Sequence, residues 1–313
     1  MKDKLVSVIV TTKNEEKNIE NCLKSITYQT YRNIEIIVVD NASSDRTKEI
    51  ARKYTNLVFD KGPERSAQRN FGVGISKGKY ILYLDADMIL AKFVVESCIN
   101  EIAADDKVVG LYIKEVILGK GLWSKVRRFE RSFYDGTVID AVRFVKKEAF
   151  LEAKGFDEEM SGPEDWDFDR KVSAIGWLKL LSKYKYLNNL DGLENSFKLE
   201  IEKFLVLNGI DSKDLYIKYN NAIFHNETNI APLKYLNKKT YYMKNFNIYI
   251  NKYGKNDIVI KKQFGLFYRY FRVFIENGKW KKLFRHPLLT IYMYFLKGAV
   301  GFLFAKHKLL TDR

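Results

Sequence analysis

Residues 80–90 read YILYLDADMIL, a run of strand-forming apolar residues broken once, by Asp85-Ala86-Asp87. A strand this apolar is covered on both faces, which points to a parallel sheet rather than a half-solvated antiparallel one. Two carboxylates have no place inside such a layer, so they mark where the strand leaves it. Residues two apart in an extended chain point the same way, and both acids can therefore face one ligand. Neighbouring carboxylates repel each other, and a divalent cation relieves the repulsion. A solvated turn with two surface acids would read the same in isolation, so the flanking segments carry the decision.

Outward from this strand the chain repeats one pattern. Residues 5–10 and 34–39 are apolar, β-branched runs, and each is followed by a polar segment and then by helical spacing. After the first come TTKNEE and a helix through Ile19, Cys22, Leu23 and Ile26; after the second come DNASSD and a helix over 47–54. A weak strand at 58–59 and a helix over about 66–76 lead into the strand at 80–84. Strands alternating with helices predict an α/β fold with a doubly wound, mostly parallel sheet, whose ligands bind beyond the carboxyl ends of the strands. Residues 11–15, 40–45 and 85–87 all fall there. A dinucleotide-dependent oxidoreductase shares this architecture but needs a glycine-rich turn after its first strand, and TTKNEE supplies none.

The opening MKDKLVSVIVTTKNEE starts its apolar run almost at once and has no small-residue cleavage site, so it is expected to be the first strand rather than a secretion signal. Cys22 and Cys98 sit in helical, apolar contexts without metal-ligand spacing and are expected to be buried free thiols in a reducing compartment. The net charge of +15 is unevenly placed: residues 1–230 carry 36 basic and 36 acidic residues, and residues 231–313 carry 18 against 3. A neutral body with a basic tail argues against nucleic acid as a partner, because no nucleic-acid-binding fold accompanies the charge.

SVIVTTKNEE, VVDNASSD, SAQRNFGVGISKGKYILYLDADM and GPEDWDFDRKVSAIGW, in this order, resemble the donor-binding and catalytic segments of family 2 glycosyltransferases. The resemblance covers residues 5–180 and continues more weakly through HNETNIAPLKYLNKKTYYMKN. It implies the GT-A nucleotide-sugar-binding fold and metal-dependent, inverting transfer from a nucleotide-diphospho-sugar. Thr11 and Glu15 would then line the nucleoside pocket, and Asp40 would accept from the base. An acceptor-only carboxylate suits the imide N–H of uracil or the N–H edge of guanine, and a UDP-sugar is favoured. Asp40 and Asp45 also read as turn and cap residues, a role given to Asp45. Arg69 would contact the base or diphosphate, Asp85 the ribose or the metal-bound diphosphate, and Asp87 would ligate Mn²⁺ or Mg²⁺.

GPEDWD, residues 162–167, opens a helix, with Phe168, Val172 and Ile175 at helical spacing. Acids at a helix start complement its dipole and need no other reason. The resemblance assigns Asp165 as general base, with Glu164 and Trp166 on the acceptor side. It also makes His225 a metal ligand, although a lone histidine reads equally as structural. The stretch 184–219, with an expected helix over 193–207, is longer than the family pattern.

In the tail, Phe264, Phe267, Phe271 and Phe274 stand at helical spacing, and residues 287–308 are almost wholly apolar apart from a stripe through Thr290, Tyr294, Lys297, Gly301 and Lys308. Packing against a core is one reading. Helices lying in the interface of an anionic membrane is the other, and it is preferred to a span over 288–305, whose centre would hold Lys297. The expected organisation is a GT-A catalytic domain over 1–230 and a helical, membrane-associating region over 231–313, working on the cytoplasmic face of a membrane on a lipid-linked or membrane-proximal acceptor. A polyprenyl-phosphate sugar transferase and a non-catalytic nucleotide-sugar-binding scaffold are the alternatives.

Overall fold

The computed structural model describes residues 4–182, 201–211, 214–215, 218–228, 231–243 and 245–311. The apolar runs form β1 (Val6–Thr12), β2 (Ile34–Asp40), β3 (Val58–Asp60) and β4 (Tyr80–Asp85), with β5 (Met88–Leu90) just beyond the Asp85–Asp87 turn. They are followed by β6 (Val108–Tyr112), β7 (Glu115–Ile117), β8 (Val142–Lys146), β9 (Trp177–Leu180) and β10 (Ile223–His225). Seven strands make one sheet in the order β3-β2-β1-β4-β8-β6-β9, parallel except for β8. Alternate residues feed two cores: Val8, Val10, Leu82 and Leu84 pack on one face, Ile9, Ile81 and Tyr83 on the other. That double coverage is why these strands read as continuous apolar runs.

The helix Arg65–Ile75 lies unusually close to the sheet. A Cβ at Gly72 would stand 2.5 Å from Ile9 Cγ2 and 3.2 Å from Val39 Cγ2, so only glycine permits this approach. The helix Glu164–Ser173 begins directly after Pro163, as its sequence predicts, and buries Phe168 and Val172. Of the helix expected over 193–207, Ile201–Leu207 is helical and the remainder lies outside the described residues. Cys22 and Cys98 are both buried and free.

The tail folds back onto the body. Val273, Phe274, Met293 and Leu296 share a core with Val126, Phe129 and Phe133 of the preceding domain. The four phenylalanines therefore do not form one exposed face: Phe274 is buried and Phe264 packs beside Trp166, while Phe267 and Phe271 are exposed. The long helix Pro287–Thr311 turns its polar stripe inward. Tyr294 donates to Tyr270 O at 2.9 Å, Lys297 donates to the Tyr134 hydroxyl at 3.3 Å, and a side chain at Gly301 would collide with the Tyr270 hydroxyl. Leu288, Ile291, Phe295 and Phe302 point away from the protein.

Glu130 is the electrostatic clasp of this docking. It accepts from Arg127 at 2.6 Å and from the Tyr134 hydroxyl, and lies 3.7 Å from Lys297. Burial alone would raise its carboxyl, but Arg127 and Lys297 outweigh burial and hold it down at about 2. The stability this contributes is present above the ordinary glutamate value near about 4.3 and is lost as pH falls towards about 2. Glu130→Leu should lose about 3–5 kcal/mol in urea unfolding, because Arg127 and Lys297 would be left buried without their shared carboxylate.

Candidate active site

Three strands end on one line. Thr12 on β1 stands opposite Asp40 on β2, and Thr11 stands opposite Asp85 on β4. Past this line a second sheet, in the order β5-β10-β7, brings in residues from far along the chain. Its register pairs His225 with Met88, and the Asn226 amide donates to Asp87 O at 2.9 Å. His225 Nε2 consequently sits 3.1 Å from Asp87 Oδ2, while Nδ1 sits 2.9 Å from Glu115 Oε1. Burial disfavours the imidazolium, but Asp87 and Glu115 more than compensate and raise its pKa well above the ordinary value. Asp87 Oδ1 is buried and has no hydrogen-bond partner among the described residues. Such an orphaned acceptor is rare in a folded protein and asks for a cation or water.

Asp85 has different company. Its Oδ1 accepts from Thr11 Oγ1 at 3.0 Å and Arg69 Nη2 at 3.1 Å, and its Oδ2 lies 3.5 Å from Arg65 Nη1. Burial would raise its carboxyl, yet Arg69, Arg65 and Arg143 hold it far below the usual range. Among the described residues no three His, Cys, Asp or Glu groups converge as a metal cage. Both Asp85 oxygens are engaged by these neighbours, whereas Asp87 keeps one oxygen free of any described partner.

Arg69 is fully buried, stacked 4.9 Å from the Tyr83 ring centroid and 5.0 Å from that of Phe156. Besides Asp85 it holds Asp165 Oδ1 at 2.7 Å, and so ties the donor end to the start of the Glu164–Ser173 helix. Asp165 keeps 22% of its side chain exposed. Glu164 is spent on Arg65 at 3.1 Å and on the Gly162 amide, while Trp166 packs among Phe246, Tyr249 and Phe264.

Glu15 is half-buried and accepts from Asn18 at 2.6 Å; burial, with Asp87 and Asp85 nearby, raises its carboxyl. Asp40 is wholly buried and accepts from the Ser43 amide at 2.6 Å and the Ser43 hydroxyl at 2.5 Å, which is the turn reading of this residue. Asp45 takes a turn contact before the helix Thr47–Ala51, accepting from the Thr47 amide at 3.0 Å, while the N-cap position itself is Arg46.

A cavity of about 330 Å³ brings together Asp85, Glu164, Asp165, Trp166 and His225, whereas Thr11, Glu15, Asp40, Arg69 and Asp87 lie outside its lining. Sequence reasoning missed Arg65, Glu115 and Arg143, which also line it. Arg65 carried a local signal, standing one helical turn before Arg69. Glu115 and Arg143 reach the site through strand order alone. Arg143 is buried and lies 3.8 Å from Glu115, and its Nη1 has no hydrogen-bond partner among the described residues.

Residues 7–153 match Glycosyl transferase family 2. Glycosyltransferase AglE of Haloferax volcanii is 42% identical over 91 residues, covering 26% of this chain and 30% of that protein. Chondroitin synthase of Escherichia coli is 28% identical over 214 residues, covering 64% of this chain and 31% of that protein. The chain thus spans about a third of the length of these curated relatives. In structure, mannosyltransferase PcManGT from Pyrobaculum calidifontis, in complex with GDP-Man and Mn²⁺, matches with a TM-score of 0.54 at 17% identity, over 99% of this chain and 81% of that one. Residues 7–153 thus carry the sequence of glycosyl transferase family 2, on a sheet with the GT-A fold of the mannosyltransferase.

Proposed function

We propose that the chain transfers a sugar, with inversion, from a nucleotide-diphospho-sugar to a hydroxyl of a lipid-linked or membrane-proximal acceptor at the cytoplasmic face of a membrane. The observation that carries this reading is the pairing of Asp87 and His225 at the edge of a cavity that also holds Asp165. Asp87 and His225, the latter once an incoming cation displaces its ring proton, would be an oxygen and nitrogen donor set that fits Mn²⁺ or Mg²⁺, and Asp87 Oδ1, which has no partner among the described residues, is the free acceptor such an ion needs. Two protein ligands leave positions for the donor's phosphates. Held there, the ion would act as a Lewis acid that neutralises the departing diphosphate.

Asp165 takes the proton of the acceptor hydroxyl as the hydroxyl oxygen bonds to the anomeric carbon. The bond from that carbon to the diphosphate oxygen breaks on the opposite side, which inverts the centre. Arg69 is a positioning residue that fixes Asp165 and Asp85 relative to each other. Thr11 and Glu15 serve the nucleoside side, and Trp166 shapes the acceptor side. Which base is bound is read by thermal stabilisation with UDP, GDP and their sugars, with Mn²⁺ and with EDTA; a UDP-sugar is the first choice. Stabilisation that needs both nucleotide and metal supports the reading, and the absence of any nucleotide effect overturns it.

The outward face of the helix Pro287–Thr311 supports the membrane assignment. Phe295 and Phe302 are 68% and 71% exposed while the polar stripe faces the protein, the reverse of a soluble amphipathic helix. Together with the basic tail this suits insertion into an anionic interface. The full chain should pellet with vesicles containing phosphatidylserine and be released by salt. Because tail and body share a core, surface substitutions test this better than truncation. Changing Phe284, Phe295 and Phe302 together to serine should weaken pelleting by about a thousandfold or more, since burying each aromatic contributes roughly 1.5–3 kcal/mol. Equal pelleting would remove this face from the membrane.

A further inference from the structure

Strands β7 and β10 run parallel, with Ile117 opposite His225 and Glu115 opposite Ile223. Side chains two apart on a strand share a face, so Glu115 lies on the His225 side of the small sheet, two residues back along it. Its Oε1 stands 2.9 Å from His225 Nδ1, and the other ring nitrogen, Nε2, meets Asp87. Its Oε2 faces two guanidiniums, Arg131 Nη2 at 3.5 Å and Arg143 Nη2 at 3.8 Å. Arg131 is fixed in turn by Asp140 at 2.6 Å, and Asp140 accepts from the Gly136 amide at 2.7 Å. The Glu115 side chain is only 10% exposed. A plain counter-ion for the two arginines would need Oε2 alone; the contact of Oε1 with His225 is what that role leaves unexplained.

A neutral imidazole offers a cation the lone pair of one nitrogen when its proton sits on the other. A carboxylate accepts and does not donate. Glu115 therefore keeps a proton of His225 on Nδ1 and leaves Nε2, 3.1 Å from Asp87 Oδ2, for an ion. It also holds the ring against a half-turn about Cβ–Cγ, which would put carbons where the nitrogens stand.

We propose that Glu115 is a positioning residue for the cation: it fixes the tautomer and the plane of the His225 ring, and so sets the affinity of the Asp87–His225 pair for Mn²⁺ and its preference over Mg²⁺. This rests on the metal reading above and adds to it the group that makes His225 a ligand. A nitrogen donor gives Mn²⁺ an advantage that Mg²⁺, which takes oxygen ligands, does not share.

Glu115→Gln is the most telling variant, because it keeps the shape. Arg131 and Arg143 only donate, so the amide oxygen turns to them and its nitrogen turns to His225 Nδ1. The remaining ring proton then belongs on Nε2, against the ion. Mn²⁺ is titrated into the full chain in the presence of UDP and, separately, GDP, with free Mn²⁺ read by electron paramagnetic resonance. The variant should bind Mn²⁺ about tenfold to a hundredfold more weakly, the range for losing such a partner of a ligating histidine. Mg²⁺, measured by competition with Mn²⁺, should lose less. Glu115→Asp restores an acceptor and should recover part of the loss. Should Glu115→Gln not melt cooperatively, Glu115→Asp decides alone: it draws the acceptor back from Nδ1 while keeping the charge, and should still weaken Mn²⁺ more than Mg²⁺. Unchanged Mn²⁺ affinity in Glu115→Gln, or equal losses of Mn²⁺ and Mg²⁺, overturns the inference. Failure of the unaltered chain to bind Mn²⁺ with either nucleotide refutes the metal reading itself, and this inference with it.

Discussion

Alanine at Asp87 should abolish transfer and remove Mn²⁺-dependent nucleotide binding. Asp87 presents one oxygen to His225 at 3.1 Å and keeps the other buried without a partner. Deleting the carboxylate removes both oxygens, and the donor's diphosphate would then meet Glu15 and Asp85 with no cation between them. A nucleotide present at a hundred times its dissociation constant adds about 2.7 kcal/mol to the stability of the protein it binds. In the variant, UDP or GDP with Mn²⁺ should therefore shift the melting temperature no more than it does in EDTA. The apo melting temperature should move little, because Glu115 continues to hold the His225 ring. Full activity of the unaltered chain in EDTA would sink the metal assignment.

The portion of the site legible in the sequence is the portion made by strand ends. Thr11, Asp40 and Asp85 follow apolar runs directly, and a parallel sheet aligns such ends whatever its side chains are. Partnerships were less visible, because they depend on how tightly elements approach. Arg69 read as a residue near the crevice, but the contact of Gly72 with Ile9 lowers its helix onto the sheet and buries the guanidinium between Asp85 and Asp165. Asp40 read both as a ligand for the base and as a turn residue, and its contacts in the fold are those of the turn, to Ser43. Glu115 and Arg143 could not be found at all, since β7 and β8 become neighbours of the site only through strand order.

The tail shows the same limit on a larger scale. Its composition announced an apolar, basic region, and the stripe through Thr290, Tyr294, Lys297 and Gly301 was plain in the sequence. Periodicity cannot say whether such a stripe meets water or protein. Here it meets Tyr134 and Tyr270, so Lys297 is satisfied inside the protein and the hydrophobic face is left outside. The region over 231–313 consequently belongs to the site, because Tyr235, Lys239 and Tyr242 wall the cavity that Asp165 enters.

Asparagine at Asp165 should leave nucleotide binding nearly intact and lower turnover by roughly a hundredfold or more, the range for loss of a positioned base. The amide keeps the shape and can still accept from Arg69, now at 2.7 Å from Oδ1, but it cannot take a proton. Donor affinity and turnover must be measured together, since Arg69 links Asp165 to Asp85 and a disturbed link would lower both. A joint collapse would show that Asp165 is structural and that the base lies elsewhere. Retained turnover with intact donor binding has a different meaning. A phosphate acceptor is already ionised near neutral pH and needs no base, so that result would make a lipid phosphate the attacking group itself. The variant therefore separates two chemistries that share one cavity: a hydroxyl that must be deprotonated, and a lipid phosphate that arrives ready to attack.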